Sequence, residues 1–364
     1  MAVVDLGELS IVVPTFGRHE FALRQMKFWS KHEAKLFVLD GSTEPIPTSD
    51  LAGLGPNITY LHMPITLEER LVHGAGLVET KYAMFMADDE FFIPSAIRSF
   101  VHFLSLNDEF FAVTGRCVDF YRRRSRVLGR QRYRNFTNYP PEARSLRNID
   151  RLEKFGWGPH MSHYGVFRAD HWKHLVRSAY RRSYSCAYPP EVLFNLLTTY
   201  MGNTIMLDEL YWLRSGENPE VSTSLYDRSY YLDQWYEDPR MVEEVSDFKH
   251  SLANAITGVG TDSYDVARLV VEHLLNNYVT EYKTKNVGFT RLQLLRRGFF
   301  ESIPAALKEP LKRILPKAVL GKLGYDAEPL IMVAKSMASR GIRVGFDELE
   351  MIEGILLAGP TRRS

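Results

Sequence analysis

The chain has 364 residues, 45% hydrophobic and 24% charged, the balance of a soluble globular protein of one large domain or two and not of a disordered or fibrous one. Lys plus Arg (45) and Asp plus Glu (44) nearly cancel to a net charge of +1, so the chain as a whole has no bias toward a polyanionic partner such as nucleic acid. Cys117 and Cys186 are its two cysteines, too few for a disulfide scaffold or a cysteine-rich zinc site, and a reduced, cytoplasmic compartment is expected.

The opening MAVVDLGELS carries acids where a signal peptide carries Lys or Arg, and no stretch approaches the length of a membrane span. Residues 9–16 (LSIVVPTF) are a short apolar run closed by a Pro-Thr turn, the mark of a buried parallel strand. Phe21, Leu23, Met26, Phe28 and Trp29 predict an amphipathic helix over 19–31. Segments 34–42, 58–63 and 81–90 read as strands. Between the last two, 66–79 reads as a helix with Thr66 as N-cap and Glu69 in capping-box position. Pro94-Ser95 opens a helix over 95–107, and 110–121 is a further strand. This alternation predicts stacked βα units around a parallel sheet.

Past residue 120 the pattern changes. Residues 121–134 hold seven Arg and no acid; the run over 122–134 suits a diphosphate or an anionic surface, with a solvated, partly mobile loop as the alternative. Residues 135–160 are loop-like. Helices follow from near Ala169 and over 190–200, then a strand over 204–214. From about Met241 the chain reads as helical, with Val266, Leu269, Val270, Leu274 and Tyr278 as one apolar stripe behind Thr261-Asp262-Ser263.

Met86-Ala87-Asp88-Asp89-Glu90 is the most informative short segment. Three carboxylates stand at the end of an apolar strand, where α/β sheets place their ligands. Adjacent carboxylates repel unless a cation or a set of donors holds them, and a divalent cation bridging to a diphosphate satisfies that arrangement. On an extended backbone Asp88 and Glu90 share one face and Asp89 takes the other. A solvated strand-end loop ahead of Pro94 is the plain alternative.

IVVPTFGR at the first strand, VLDGS at the second, a helix containing Arg70, and FMADDE at the fourth occur in that order. The set resembles the nucleotide-sugar-binding half of GT-A-fold glycosyltransferases, especially family 2-like bacterial enzymes, well over 9–120 and loosely over 155–215. The resemblance implies an α/β, Rossmann-like GT-A sheet over 1–240, with 1–120 binding the donor and 121–240 the acceptor, and a helical region over 241–364. It implies a sugar transfer from a nucleotide sugar to a glycan or lipid-linked acceptor, inverting and assisted by Mg or Mn, in bacterial surface polysaccharide or glycan synthesis. Carried over, it sets Pro14, Thr15 and Arg18 around the nucleotide, Asp40 at the base or ribose, and Arg70 near the base or diphosphate. Asp88 would approach the ribose and, with Glu90, the metal; Asp89 falls among the donor-binding residues and would be a second partner for Glu90 at the metal. Such enzymes carry a D-x-D type motif at about this distance, and here Glu90 stands at its third position in place of Asp, which alters reach.

An inverting transfer needs a base for the acceptor hydroxyl. The related enzymes carry it at a helix start, and Glu191, 101 residues after Glu90 at the head of an apolar helix, matches that place. Its alternative is an ordinary first-turn acid, and Asp208 and Glu209 are the fallback. For Asp40 the alternative is an Asx-turn in Asp-Gly-Ser, and for Arg70 a surface i,i+4 partner. Trp157, His160 and His163 fall in the acceptor region by the same resemblance. Twelve aromatics lie between Tyr180 and Tyr236, of a kind that suits sugar faces. Residues 291–322 hold eight Lys or Arg against two Glu, either a helix peripheral on an anionic inner membrane face or a basic subdomain packed on the rest. A sugar-phosphate nucleotidyltransferase and a non-catalytic carbohydrate-binding protein are the competing functions.

Overall fold

In a computed structural model, residues 6–123, 125–132, 137–156, 163–216, 231–287 and 327–358 are described. Up to Leu106 the chain alternates: β1 (Leu9–Thr15), α1 (His19–Trp29), β2 (Lys35–Asp40), the short α2 (Thr48–Leu51), β3 (Ile58–His62), α3 (Leu67–Leu77), β4 (Tyr82–Phe85), β5 (Phe91–Phe92) and α4 (Pro94–Leu106). The four longer strands pair in parallel in the order β3-β2-β1-β4. With β2 on one side of β1 and β4 on the other, the order reverses at β1, and a crevice opens at the carboxyl ends there.

Alternation decides the layering. Ile11, Val13, Leu36, Val38 and Met84 face one core, while Val12, Leu39, Ala83 and Phe85 face another, and all are buried. Both sheet faces are thus covered, which is why these strands read as nearly continuous apolar runs.

The second half is β6 (Phe110–Arg123), β7 (Arg126–Arg132), α5 (Asn148–Phe155), β8 (Val166–Arg168), α6 (Ala169–Ala179), α7 (Pro189–Met201), β9 (Asn203–Ser215), α8 (Leu232–Glu237), α9 (Val242–Val259), α10 (Tyr264–Val287), β10 (Glu328–Pro329), α11 (Leu330–Ala338) and α12 (Phe346–Ala358). The sheet is mixed rather than parallel throughout. Three-residue β8 enters antiparallel between β4 and β6, with Val166 and Phe167 fully buried. The Arg168 side chain donates to the carbonyls of Leu104 (2.8 Å) and Phe110 (2.9 Å), which fixes that insertion.

Two expectations are corrected. Over its described residues, 121–123 and 125–132, the arginine run is not the loop of the alternative reading: β6 and β7 pair as a hairpin, with Arg123 opposite Arg126. Val127, Gly129 and Gln131 point inward while arginines take the outer positions, a period of two hidden by the density of charge. Gly129 is needed there, since a Cβ would meet Leu330 of α11 at 2.9 and 3.2 Å. On α10 the buried side is Ala267, Val271, Leu274, Leu275 and Val279, whereas Val266 and Leu269 are exposed. Packing against α9 and α5 turns the helix about one position from the stripe read in sequence.

The C-terminal helices do not stand apart. α9 and α10 join the core of α5, α6 and α7, and α11 and α12 join the core of α1 and α4 on the other face. Among the described residues no helix is long and apolar enough to cross a membrane. Residues 291–322 lie outside the described residues.

Candidate functional site

At the end of β1, Gly17 takes φ +63°, a conformation glycine adopts without steric cost. Its N–H donates to Ser42 Oγ at 2.8 Å, and the turn delivers Arg18 to the start of α1. At the end of β4 the chain turns again, with Glu90 N–H directed at the Ala87 carbonyl (3.4 Å). α1 holds this second turn from outside. Arg24 donates to the Asp89 carbonyl at 3.0 Å and Gln25 to that of Glu90.

The turn separates the acids that an extended backbone would have aligned. Asp88 is buried and accepts from Thr15 Oγ1 at 2.6 Å and from Arg18 Nε at 3.2 Å, with Arg18 Nη2 closing a second ion-pair contact. Asp89 Oδ1 lies 3.4 Å from Arg18 Nη2. Burial pushes the Asp88 carboxyl up to about 6, against the pull of Arg18. Glu90 turns the other way, its Oε2 accepting the Trp212 indole N–H at 2.7 Å. Burial raises it to about 8, with the Asp89 charge adding to the shift.

A divalent cation needs several oxygens converging on one point. Asp88 faces Arg18, Glu90 faces Trp212, and among the described residues no three His, Cys, Asp or Glu side chains converge. Asp88 and Glu90 in this arrangement do not fit one shared Mg or Mn.

Asp40 ends β2 fully buried. Its carboxylate accepts from Ser42 N–H (2.9 Å), the Ser42 hydroxyl and Tyr60 Oη (2.7 Å), with His19 Nε2 at 3.1 Å. This is an Asx-turn, and Asp40 does not line the cleft. Arg70 is no surface residue: 1% exposed, it donates to the carbonyls of Thr15 (2.6 Å) and Leu39 (2.7 Å), tying β1 to β2. It lies against Gly41, whose position a Cβ would bring to 2.4 Å from Arg70 Cζ.

A cleft of about 280 Å³ opens at these strand ends. Pro14, Thr15, Arg18, Arg70 and Asp88 line it from the sheet, and His163, Tyr164, Tyr180, Pro190 and Glu191 from the second half. Glu191 sits in the first turn of α7, behind Pro189 and Pro190, where the helix N-terminus favours a negative charge. His163 packs against Phe85, Tyr164 and Phe194, and its Nε2 is 3.2 Å from Tyr180 Oη. Burial pulls its pKa down to about 4, so the ring is neutral at physiological pH. Trp157 and His160 lie outside the described residues.

The fallback acids are elsewhere. Asp208 is exposed and paired with Arg116 (2.6 Å), and buried Glu209 accepts from Ser99 Oγ (2.6 Å) and Arg343 (2.9 Å). Sequence reasoning missed Glu68, a buried cleft-lining acid on α3 that accepts from Ser183 Oγ at 2.9 Å. A first-turn glutamate beside a capping box gives no signal of that kind.

No protein-family model matches the chain, and no curated protein matches it. Among solved structures, S. aureus TarS 1–349 in complex with UDP-GlcNAc aligns at TM-score 0.49 and 13% identity, over 82% of this chain and 77% of that one. S. aureus TarS 1–349 in complex with UDP aligns at TM-score 0.44 and 12% identity, over 98% and 93%.

Proposed function

We propose that this chain is a glycosyltransferase that moves a sugar from a nucleotide-sugar donor to a hydroxyl of a glycan or lipid-linked acceptor in bacterial surface glycan synthesis, inverting the anomeric carbon. The observation that carries the reading is one cleft, at the switch point of a parallel sheet, lined by both the Arg18–Asp88 pair and Glu191. Ligands of open α/β sheets bind at such a crevice. A cation fixed in advance by two carboxylates suits a diphosphate leaving group, because its orientation costs nothing further at reaction.

In this reading the acceptor oxygen attacks the anomeric carbon while its proton passes to the Glu191 carboxylate. The bond to the diphosphate oxygen breaks, and the nucleoside diphosphate leaves with the electron pair, facing Arg18. Neutral His163 with Tyr180 offers a polar edge within an aromatic wall, which suits a sugar face. No divalent cation enters the scheme.

The test is donor turnover on a panel of UDP-, GDP- and dTDP-sugars, with product anomers read by NMR. Removing a positioned base costs about 10²–10⁴ in rate, so Glu191→Gln is expected to lose that much turnover and keep donor affinity. A retained anomer, or a Glu191→Gln variant near wild-type rate, rejects the mechanism.

A further inference from the structure

Residues 180–188 join α6 to α7 and lead directly to Pro190 and Glu191 in the cleft wall. The segment is fastened from two sides. On α9, Glu244 accepts the Ser185 N–H with both carboxylate oxygens (3.0 and 3.1 Å), the Ser185 hydroxyl (3.3 Å) and the Trp235 indole N–H. Tyr184 stands edge-on to Trp235 (5.9 Å) and Phe248 (5.6 Å), and these two rings meet edge-on at 5.7 Å. Arg182 pairs with Asp247 at 2.9 Å, and Arg181 donates to Ser251 Oγ at 2.7 Å. From the opposite side, Ser183 donates to Glu68 on α3.

Hydrogen bonds to an ionised acceptor are the strong ones, and Glu244, with its side chain 16% exposed, makes them to a backbone N–H and to an indole. Its ligands gather the segment before α7 and the helix before α9 at one carboxylate. The segment held by this hub runs into α7 at Pro189, and Glu191 in the first turn of α7 lines the cleft.

We propose that Glu244 is a positioning residue: it fixes residues 183–188, and through them the start of α7, so that the Glu191 carboxylate meets the acceptor. The helical C-terminal region would then complete the site. The catalytic half of this proposal rests on the transferase reading; the structural half does not.

Hydrogen–deuterium exchange and steady-state kinetics on the full chain test the two halves. In Glu244→Ala, peptides covering 183–188 are expected to exchange at least tenfold faster while those of β1 and β4 are unchanged. On the donor found in the panel, kcat is expected to fall ten- to a hundredfold with donor KM within twofold. Glu244→Gln, which keeps one acceptor oxygen, is expected to recover most of that loss. If Glu244→Ala melts below the assay temperature, Trp235→Phe, which keeps an aromatic ring and loses the indole N–H to Glu244, is read in its place. Unchanged exchange overturns the proposal, and so does faster exchange with kcat within twofold of wild type. A wild-type chain that turns over no nucleotide sugar overturns the transferase reading instead, and exchange still decides whether Glu244 holds the segment.

Discussion

At the cleft floor Arg18 is held by Asp88 and Asp89, so a charge of the chain's own stands where a bound cation was expected. Charged hydrogen bonds contribute roughly 1.5–3 kcal/mol, so under the proposed transferase reading Arg18→Ala is expected to cost about ten- to a hundredfold in nucleoside diphosphate affinity by calorimetry. EDTA in place of Mg is expected to alter wild-type affinity by less than about threefold. A tenfold loss in EDTA would return the diphosphate to a metal. His163 gives a second expectation. Its folded pKa of about 4 lies below the ordinary value of 6.5, so both states are neutral above pH 6.5. Between 6.5 and 4 the unfolded chain takes a proton that the folded one refuses. Stability therefore falls with pH across that window, by up to about 1.4 kcal/mol per unit, and levels off below it. Melting curves of wild type and His163→Phe should diverge from pH 6.5 down to 4; parallel curves would show that the ring titrates freely.

Elements differ in how far their own residues decide them. The capping box of α3 forms as read, with Thr66 N–H on Glu69 Oε2 (3.1 Å) and Glu69 N–H on Thr66 Oγ1 (3.3 Å), because partners three residues apart meet in any such helix start. Thr66→Ala should cost about 1 kcal/mol, read as a lower urea midpoint at unchanged slope; no shift would mean that tertiary packing alone holds α3. The strands β1, β2 and β4 were legible for a similar reason, each carrying its burial as an unbroken apolar run. β8 was not, since three residues show no period, and its place between β4 and β6 is decided by partners distant in the chain. The same holds for Glu90, whose direction is set by Trp212, 122 positions away. Asp88 and Glu191 could be named from sequence, but their meeting in one cleft depends on α7 docking beside β4, which no local pattern encodes.

For the molecule as a whole, the last elements finish the first ones. Glu328–Pro329 pairs with the outer strand of the arginine hairpin, and Leu330, Val333, Met337, Leu349, Ile352 and Leu356 are buried in the core that also holds Ile11 and Val13. A two-residue edge strand with a proline is a poor template for pairing with another chain, so this closure blunts a sheet edge as well as covering a face. During synthesis that protection arrives late. At about 5–20 residues per second, the ribosome takes roughly 10–45 s to travel from the hairpin to the end of α12. Through that interval the nascent chain carries an open strand edge and a bare apolar face. The protein's yield in a cell should accordingly depend on what shields the unfinished chain, more than on the stability of the finished one.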